Sequence, residues 1–249
     1  MNYLIIILAI IIILLLYYIY VIFSAVPRVG NRIDLTKAPV IIKPTAITNP
    51  YSVNYTMSVW VYIHNFSQNN KIERFIMYGD SNNKDAQSLW SLRMDPKTPT
   101  LFCDIKTNSS SNPVIKSFTL TQNFPIQKWV HVVTVVSYGS IECYLNGAFV
   151  LTQSIDGGVY QPAPPSNPEN SATFSFGALG TTSSIGVRNE GSPVVLNLVS
   201  RWDYRLSAGD VYNNYLSGNG EPVNLFGPAY KMNINLERGT TDKYVLHVF

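Results

Sequence analysis

The sequence predicts an all-β protein, an antiparallel β-sandwich or jelly roll, that follows a single transmembrane α-helix. Three observations support this fold class. The chain begins with a long apolar run that contains no charge, Gly or Pro. From Tyr51 onward, short runs with a period of two recur, rich in β-branched and aromatic residues. Asn, Gly, Pro and Ser separate these runs, and helical periodicity is almost absent.

The apolar run YLIIILAIIIILLLYYIYVIF extends from Tyr3 to Phe23. As a helix it would be roughly 30 Å long, which matches the hydrocarbon core of a bilayer. A cleaved signal peptide is the alternative, but the run is too long and 24–27 is a poor cleavage site. We therefore expect residues 1–26 to be a membrane anchor with the lipid bilayer as partner. Its end at the headgroup level, where aromatic rings are favoured, contains Leu16, Tyr17, Tyr18, Tyr20 and Phe23.

The net charge of +3 arises just after this run. Segment 27–50 contains four basic residues and one acidic residue, whereas 51–249 carries equal numbers of both. A neutral domain has no basic stripe for a phosphate backbone, so we expect no nucleic-acid partner. Cations immediately after the span predict a domain on the cytoplasmic face. Four prolines favour extended backbone in 27–50, which predicts a Pro-rich basic stalk from which APVII could add one strand.

The predicted strands alternate between two faces. In YTMSVWVYI, the residues from Tyr55 to Ile63 at odd positions share one face and those at even positions share the other. The strand WVHVVTVVS (129–137) is apolar on both faces, as inside a sandwich. A turn at 138–140 and a tight Asn146-Gly147 turn flank its partner IECYLNG. Further strands are predicted at 74–79, 89–94, 100–105, 116–121, 172–177 and 194–203.

These residues carry a resemblance to a known family. The strand KWVHVV, the turn at 138–139 and the strand IECYLNG together resemble the laminin-G-like, concanavalin A-like domain. Residues 53–63 are similar to its opening strand, and WDYRLSAGDVY (202–212) is similar to its closing strand and short helix. The resemblance implies two antiparallel sheets packed face to face over 51–218, followed by a tail at 219–249. The matching structural positions are Trp60, Trp129, His131, Asn146, Gly147, Trp202 and Leu206.

Catalytic motifs are absent from the sequence. Glycosidases on this sandwich use paired acids such as E-x-D-x-x-E, whereas Glu73, Glu142, Glu169 and Glu190 stand alone. The three histidines lack metal-ligand spacing, and His131 is predicted to be a packed or turn-bonding residue. We therefore expect no enzymatic activity, no catalytic residue and no cofactor. A degenerate glycoside hydrolase is a further alternative.

Two kinds of binding remain open at the rim of the predicted sandwich. Calcium binding needs oxygen ligands, and the acidic candidates are Asp80, Asp104, Asp156 and Asp203. Sugar binding needs aromatic rings beside polar groups, and the aromatic candidates are Trp90, Tyr138 and Tyr160. Cys103 and Cys143 are either buried thiols or, if their strands are neighbours, a disulfide. The ending KYVLHVF is either a last strand of the domain or an arm added to a neighbour's sheet.

The sequence favours a structural function over catalysis. We expect a non-enzymatic, single-span protein whose sandwich connects a membrane to a protein layer. Anchored domains that look like this occur among minor capsid proteins of large icosahedral DNA viruses, so the implied place is the virion's inner membrane and capsid, and the implied partners are capsid or membrane-associated proteins. The alternative is a surface lectin or adhesion module that binds a glycan or receptor. Glycosylation at Asn54, Asn65 or Asn108 would favour that alternative.

Overall fold

The structure is a computed structural model that describes residues 3–23, 27–35, 40–42, 47–66, 73–80, 88–95, 97–108, 113–161, 172–176, 194–220, 233–238 and 242–247. Its elements in chain order are α1 (Tyr3–Phe23), β1 (Arg28–Gly30), β2 (Ile33–Asp34), β3 (Val40–Ile42), β4 (Tyr55–Ile63), β5 (Glu73–Asp80), β6 (Ser88–Met94), β7 (Leu101–Thr107), β8 (Val114–Thr121), β9 (Trp129–Ser137), β10 (Ser140–Leu145), β11 (Ala148–Ser154), β12 (Ala172–Phe176), β13 (Val194–Trp202), α2 (Ala208–Leu216), β14 (Asn233–Arg238) and β15 (Asp242–His247).

Helix α1 carries the apolar run that begins the chain. Its side chains from Ile6 to Tyr18 are exposed. Counted over the described residues, no helix is long and apolar enough to cross a membrane.

Two antiparallel sheets form the main unit, and the predicted all-β sandwich is confirmed. Sheet A has the order β1-β13-β4-β9-β10-β11, with β2 also paired to β13. Sheet B has the order β3-β12-β5-β6-β7-β8. One buried core contains residues from both sheets, including Val61 and Val132 of sheet A and Leu92 and Phe174 of sheet B. The sheets therefore bury a shared apolar layer, as the alternating strands require.

The alternation of β4 explains how sheet A is covered on both faces. Its odd-numbered residues from Tyr55 to Ile63 are buried in the shared core. On the other face, Ser58 and Trp60 are also buried, because α2 packs there. Helix α2 begins with a capping box, in which Ser207 and Asp210 each satisfy a backbone N–H of the other.

Segment 27–50 differs from the predicted stalk. Strands β1 and β2 pair with β13 of sheet A, and β3, within the APVII run, pairs with β12 of sheet B. Ile33, Leu35 and Ile47 are buried in the core. Pro27 is tolerated because β1, which it precedes, lies at the edge of sheet A, where an N–H need not donate to a neighbour. Apolar residues between the prolines then supply the burial that holds the segment against the sandwich.

Residues 220–249 form a separate compact unit. Within it, β14 and β15 pair as an antiparallel hairpin with Asn233 opposite His247. The predicted strand in the ending KYVLHVF thus lies within β15, and its partner there is β14. Its further docking stays a prediction.

Candidate functional site

Most of the family-motif residues lie together on the outer face of sheet A, against helix α2. Trp60 on β4 stacks on His131 of β9, with ring centroids 4.8 Å apart. Tyr215 of α2 stacks on Trp60 at 5.7 Å. Trp202 and Leu206 are buried beside Val211 in a second apolar cluster. Trp129 lies further along β9, against Tyr62.

His131 is a packed residue inside this layer. It is completely buried, and its Nε2 lies 2.8 Å from Ser58 Oγ. Asn214 of α2 donates its amide to the same hydroxyl oxygen at 3.2 Å. Burial lowers the pKa of His131 to about 4. A serine–histidine pair could serve catalysis if substrate reached it, but full burial and a low pKa suit this pair for holding α2 on the sheet.

The Asn146-Gly147 turn closes the end of the β10–β11 hairpin as predicted. Both residues have positive φ, 51° and 75°. Asn146 Oδ1 accepts a hydrogen bond from the His131 backbone N–H, and the Asn146 N–H donates to the His131 carbonyl. Because Gly147 has no side chain, the rings of Tyr212 and Tyr215 can approach its Cα closely. The turn therefore joins β9, β10 and α2.

Asp104 lies on the outer face of sheet B in a polar network that the sequence did not indicate. Arg93 Nε donates to Asp104 Oδ2 at 2.6 Å, and the Ser117 hydroxyl donates to Oδ1 at 2.6 Å. Ser91 adds a third hydrogen bond at 3.2 Å. The Arg93 guanidinium also lies 4.4 Å from the ring centre of Phe102. With its oxygens so engaged, Asp104 is a structural anion rather than an open ligand.

The best candidate for ligand recognition is the rim site, which we define as Asn54, Asn108, Tyr138, Asp156 and Tyr160. Four loops bring these residues to one end of the sandwich: the loop before β4, the end of β7, the β9–β10 turn and the segment after β11. The Tyr138 N–H donates to Asn54 Oδ1 at 3.2 Å. The Tyr138 carbonyl accepts from Val159 at 2.7 Å. The sequence candidates Tyr138 and Tyr160 thus reach the same end of the fold.

Two glycines let the segment after β11 lie beneath the Tyr138 ring. Gly157 and Gly158 have φ values of 76° and 80°, which favour glycine. A Cβ on Gly158 would lie 2.4 Å from Tyr138 Cζ, so the bare backbone supports the ring. The Asn108 N–H donates to the Gly158 carbonyl at 2.9 Å and fixes the segment to β7. Tyr138 is still 55% exposed, so its ring remains open to a ligand.

The rim site also carries charge. Asp156 is 89% exposed and pairs with Lys116 Nζ at 3.2 Å. Lys106 Nζ lies 4.4 Å from the ring centre of Tyr160, and burial lowers the pKa of this lysine. An exposed ring at the same end of the fold as a carboxylate, amides and ammonium groups is the chemistry that recognises a polar ligand such as a sugar. The sequence did not show that Tyr138 and Tyr160 lie at the same rim, since hydrogen bonds between distant segments, such as the one from the Val159 N–H to the Tyr138 carbonyl, bring them there.

The other sequence candidates lie elsewhere. Trp90 is in the core, where its Nε1 donates to Thr134 Oγ1 of the facing sheet at 3.1 Å. Asp203 follows β13 and is half-buried, and the side chain of Asp80 lies outside the described residues. Within the described part of the chain, no three His, Cys, Asp or Glu side chains form a group that could hold a metal ion.

The two cysteines are free, buried thiols on opposite sheets. Cys103 lies on β7 of sheet B and Cys143 on β10 of sheet A. Burial raises the pKa of both thiols, for Cys143 to about 12. Neither thiol is activated as a nucleophile at neutral pH.

The fold is similar to that of several toxin domains of known structure. The receptor binding domain of botulinum neurotoxin mosaic serotype C/D is 15% identical, with a TM-score of 0.54 over 78% of this chain and 44% of that chain. The ligand binding domain of serotype D, solved in complex with N-acetylneuraminic acid, is 16% identical, with a TM-score of 0.53 over 75% of this chain and 42% of that one. The chain therefore spans less than half the length of these structures, and at such identities the likeness shows the fold alone.

No curated protein matches the chain in sequence. A family model does match, over residues 36–212, and its description is the concanavalin A-like lectin/glucanases superfamily. The match includes both sheets from β3 onward and most of α2. The chain belongs to the concanavalin A-like lectin/glucanase superfamily.

Proposed function

We propose that this protein is a membrane-anchored, non-catalytic binding protein whose sandwich is mounted directly on its anchor. The proposed anchor is the uncharged apolar run Tyr3–Phe23 of the sequence, and about 20 consecutive apolar residues are what a membrane span requires. Its apolar side chains from Ile6 to Tyr18 are exposed. A lipid environment would take this large apolar surface out of its unfavourable contact with water.

The observation that carries the proposal is the short connection between α1 and the sandwich. Helix α1 ends at Phe23, and β1 begins at Arg28, where it pairs with Ser200 of β13. The Pro27 carbonyl already accepts a hydrogen bond from the Arg201 N–H at 3.2 Å. Four residues can span at most about 14 Å. A sandwich so attached is held beside the membrane rather than displayed at a distance, and such a mount suits a protein that fixes a membrane to an adjoining layer.

The exposed side chain of Arg28, just after the connection between α1 and the sandwich, supports the same placement. Arg28 lies at the outer edge of sheet A, and its side chain is exposed. Basic residues next to a span favour the cytoplasmic face and are attracted to anionic headgroups. We therefore propose a cytoplasm-facing sandwich.

The carboxylates on the sandwich support a binding role without catalysis. Asp104 is paired with Arg93, and Glu142 is paired with Arg205 at 2.6 Å. Asp156 is paired with Lys116 on the surface. A retaining or inverting glycosidase needs two carboxyl groups facing one sugar, and these three are each engaged in a different ion pair.

The specific form of the proposal is a minor capsid protein that connects an internal virion membrane to the capsid shell. It rests on the short mount and on the expected topology, since the cytoplasmic side of such a membrane faces the shell. Cross-linking of the chain in its native assembly, followed by mass spectrometry, should recover shell proteins among its neighbours. Recovery of only secreted or cell-surface proteins would contradict this form.

The anchor is tested by placing charge in α1. Two arginines near the middle of a span cost about 2.5–3.5 kcal/mol each, so Ile11→Arg with Leu14→Arg should move the chain out of the membrane fraction. Flotation on a density gradient and alkaline carbonate extraction measure this. Val114→Arg, a charge added to an exposed apolar residue of β8, is the matched control and should stay with the membrane. Extraction of the unaltered chain by carbonate would overturn the anchor.

A second candidate function is glycan recognition at the rim site. The exposed Tyr138 ring, at the same end of the sandwich as the exposed Asp156, favours it, as does the N-acetylneuraminic acid in complex with the serotype D domain of similar fold. A glycan array should then give signals that Tyr138→Ala reduces at least about tenfold, because one aromatic platform and its polar neighbours carry most of such binding. Tyr204→Ala, which removes an equally exposed tyrosine elsewhere, is the control. Binding that Tyr138→Ala leaves unchanged would contradict a glycan site at the rim.

A further inference from the structure

Strand β11 is an open edge of sheet A. It pairs with β10 on one side and has no strand on the other in the part of the chain that the structure describes. Every one of its residues except Leu151 is exposed. Its sequence, AFVLTQS, contains no charge and no proline. A strand of this kind presents a row of backbone donors and acceptors to any extended chain that meets it.

The other sheet edges are protected in the ways that natural proteins use. Strand β1, at the far edge of sheet A, has three residues and begins with Arg28. At the edges of sheet B, β3 also has only three residues, and β8 carries Lys116. Short length and charge both discourage pairing between molecules. Among the described edges, β11 is the long one without either protection, and one register shift, which leaves Val150 without an opposite residue, interrupts its pairing with β10.

An exposed apolar strip lies next to this edge. Phe149 and Val150 of β11 are 57% and 39% exposed. Phe149 packs on Tyr144 of β10, with ring centroids 5.6 Å apart. Beyond the Gly147 turn, Tyr212 of α2 is 51% exposed. Contiguous exposed apolar residues beside an unpaired strand are typical of an interface.

We propose that β11 pairs antiparallel with β11 of a second copy of this chain. The lack of charge on β11 permits this occupant, because two copies of an uncharged strand meet without repulsion, whereas two copies of β8 would bring Lys116 against its own copy. Pairing about a two-fold axis satisfies both open edges at once and closes the assembly as a dimer. Strand β1, which follows α1 in the chain, lies at the opposite edge and stays free.

Thr152 offers a test that spares the fold. It lies opposite Glu142 of β10, so Thr152→Lys adds a cation beside an existing carboxylate within its own sheet. In the dimer, the same change places two lysines near the two-fold axis. Sedimentation of the full chain in mild detergent should show a dimer that Thr152→Lys weakens at least about tenfold. An equal mixture of Thr152→Lys and Thr152→Glu chains should restore it.

The control is Val114→Lys on β8, which should leave the dimer intact. Oxidative cross-linking gives a second readout: Thr152→Cys should form a covalent dimer, and Val114→Cys should not, because two Cα atoms must approach within about 7 Å to be bridged. The native thiols of Cys103 and Cys143 are buried and do not compete. A monomeric wild-type chain, or a dimer that Thr152→Lys leaves unchanged, would overturn the proposal; the latter result would place the association elsewhere, as in α1.

Discussion

Ser58 Oγ and His131 Nε2 lie 2.8 Å apart in a layer that is closed to solvent by helix α2. The other ring nitrogen of His131 has no hydrogen-bond partner among the residues that the structure describes. A protonated imidazolium there would be a buried charge, and burial is what disfavours it in the folded chain. His131 packs between β4, β9 and α2, so its protonation at low pH should destabilise the packing of these three elements.

We expect the protein to lose stability as the pH falls from about 6.5 to about 4. Burial lowers the pKa of His131 from 6.5 to about 4 in the folded chain, so in this window the unfolded chain binds more protons. The free energy of unfolding therefore falls with falling pH, by about 3 kcal/mol over the whole window. Urea unfolding of the full chain at a series of pH values measures this.

His131→Gln is the matched variant, since glutamine keeps a hydrogen-bonding group and does not titrate. It should be less stable than the wild type at pH 7 but should show a flatter dependence on pH between 6.5 and 4. The exposed His64 is present in both chains and cancels in the comparison. Equal pH dependence of the two chains would show that His131 is not the responsible group.

Gly147→Ala should destabilise the protein by about 1–3 kcal/mol. The residue has a φ of 75°, and a Cβ there would lie 3.0 Å from ring atoms of both Tyr212 and Tyr215. Gly139→Ala is the control, in the β9–β10 turn at the other end of β10, where a Cβ meets nothing within 4 Å. Thermal unfolding of both variants measures the difference, and equal losses would mean that α2 does not depend on the close approach at Gly147.

Asp104→Asn should cost about 3–5 kcal/mol in unfolding free energy. The change removes the carboxylate from a nearly buried pair and leaves the Arg93 guanidinium without its anion. Asp156→Asn removes the same charge from a solvent-exposed pair and should cost less than about 1 kcal/mol. Chemical unfolding of the two variants in the same buffer provides the comparison. A cost for Asp104→Asn as small as for Asp156→Asn would contradict a structural role for the network.

The sequence predicted the central strands well because their residues alternate in hydrophobicity and both faces are covered. Strands β4 and β9 have the predicted bounds, and their inward residues lie in the core. Strand β11 was missed because its exposed side chains carry no alternation. Strands β1 and β2 were missed because prolines and cations near them resemble a linker, although Ile33 is buried.

The candidate sites differ in how well the sequence could predict them. The layer around His131 was accessible through family-motif residues that lie close in sequence or on paired strands. The rim site depends on a contact between Tyr138 and the Gly157-Gly158 turn, which no local pattern encodes. The network of Asp104 and Arg93 depends on the register between β6 and β7, which a single sequence does not specify.

Two tyrosine-to-phenylalanine changes should shift stability in opposite directions. Tyr55 and Tyr78 both lie beside the buried guanidinium of Arg201, at 5.4 Å and 5.3 Å from their ring centres. The Tyr78 hydroxyl donates to the Pro50 carbonyl, whereas the Tyr55 hydroxyl is buried and has no hydrogen-bond partner within the described part of the chain. Burial raises the pKa of both phenols, for Tyr78 to about 12, so both are neutral donors at ordinary pH.

Tyr55→Phe should therefore be neutral or stabilising by up to about 2 kcal/mol, because it removes a desolvated hydroxyl that gains nothing in return. Tyr78→Phe should destabilise by about 1 kcal/mol or more, because the Pro50 carbonyl loses its donor. Unfolding in urea at pH 7 measures both variants, and each serves as the other's control for loss of a hydroxyl. A loss of stability for Tyr55→Phe equal to that for Tyr78→Phe would mean that the Tyr55 hydroxyl has a partner, such as a bound water, beside Arg201.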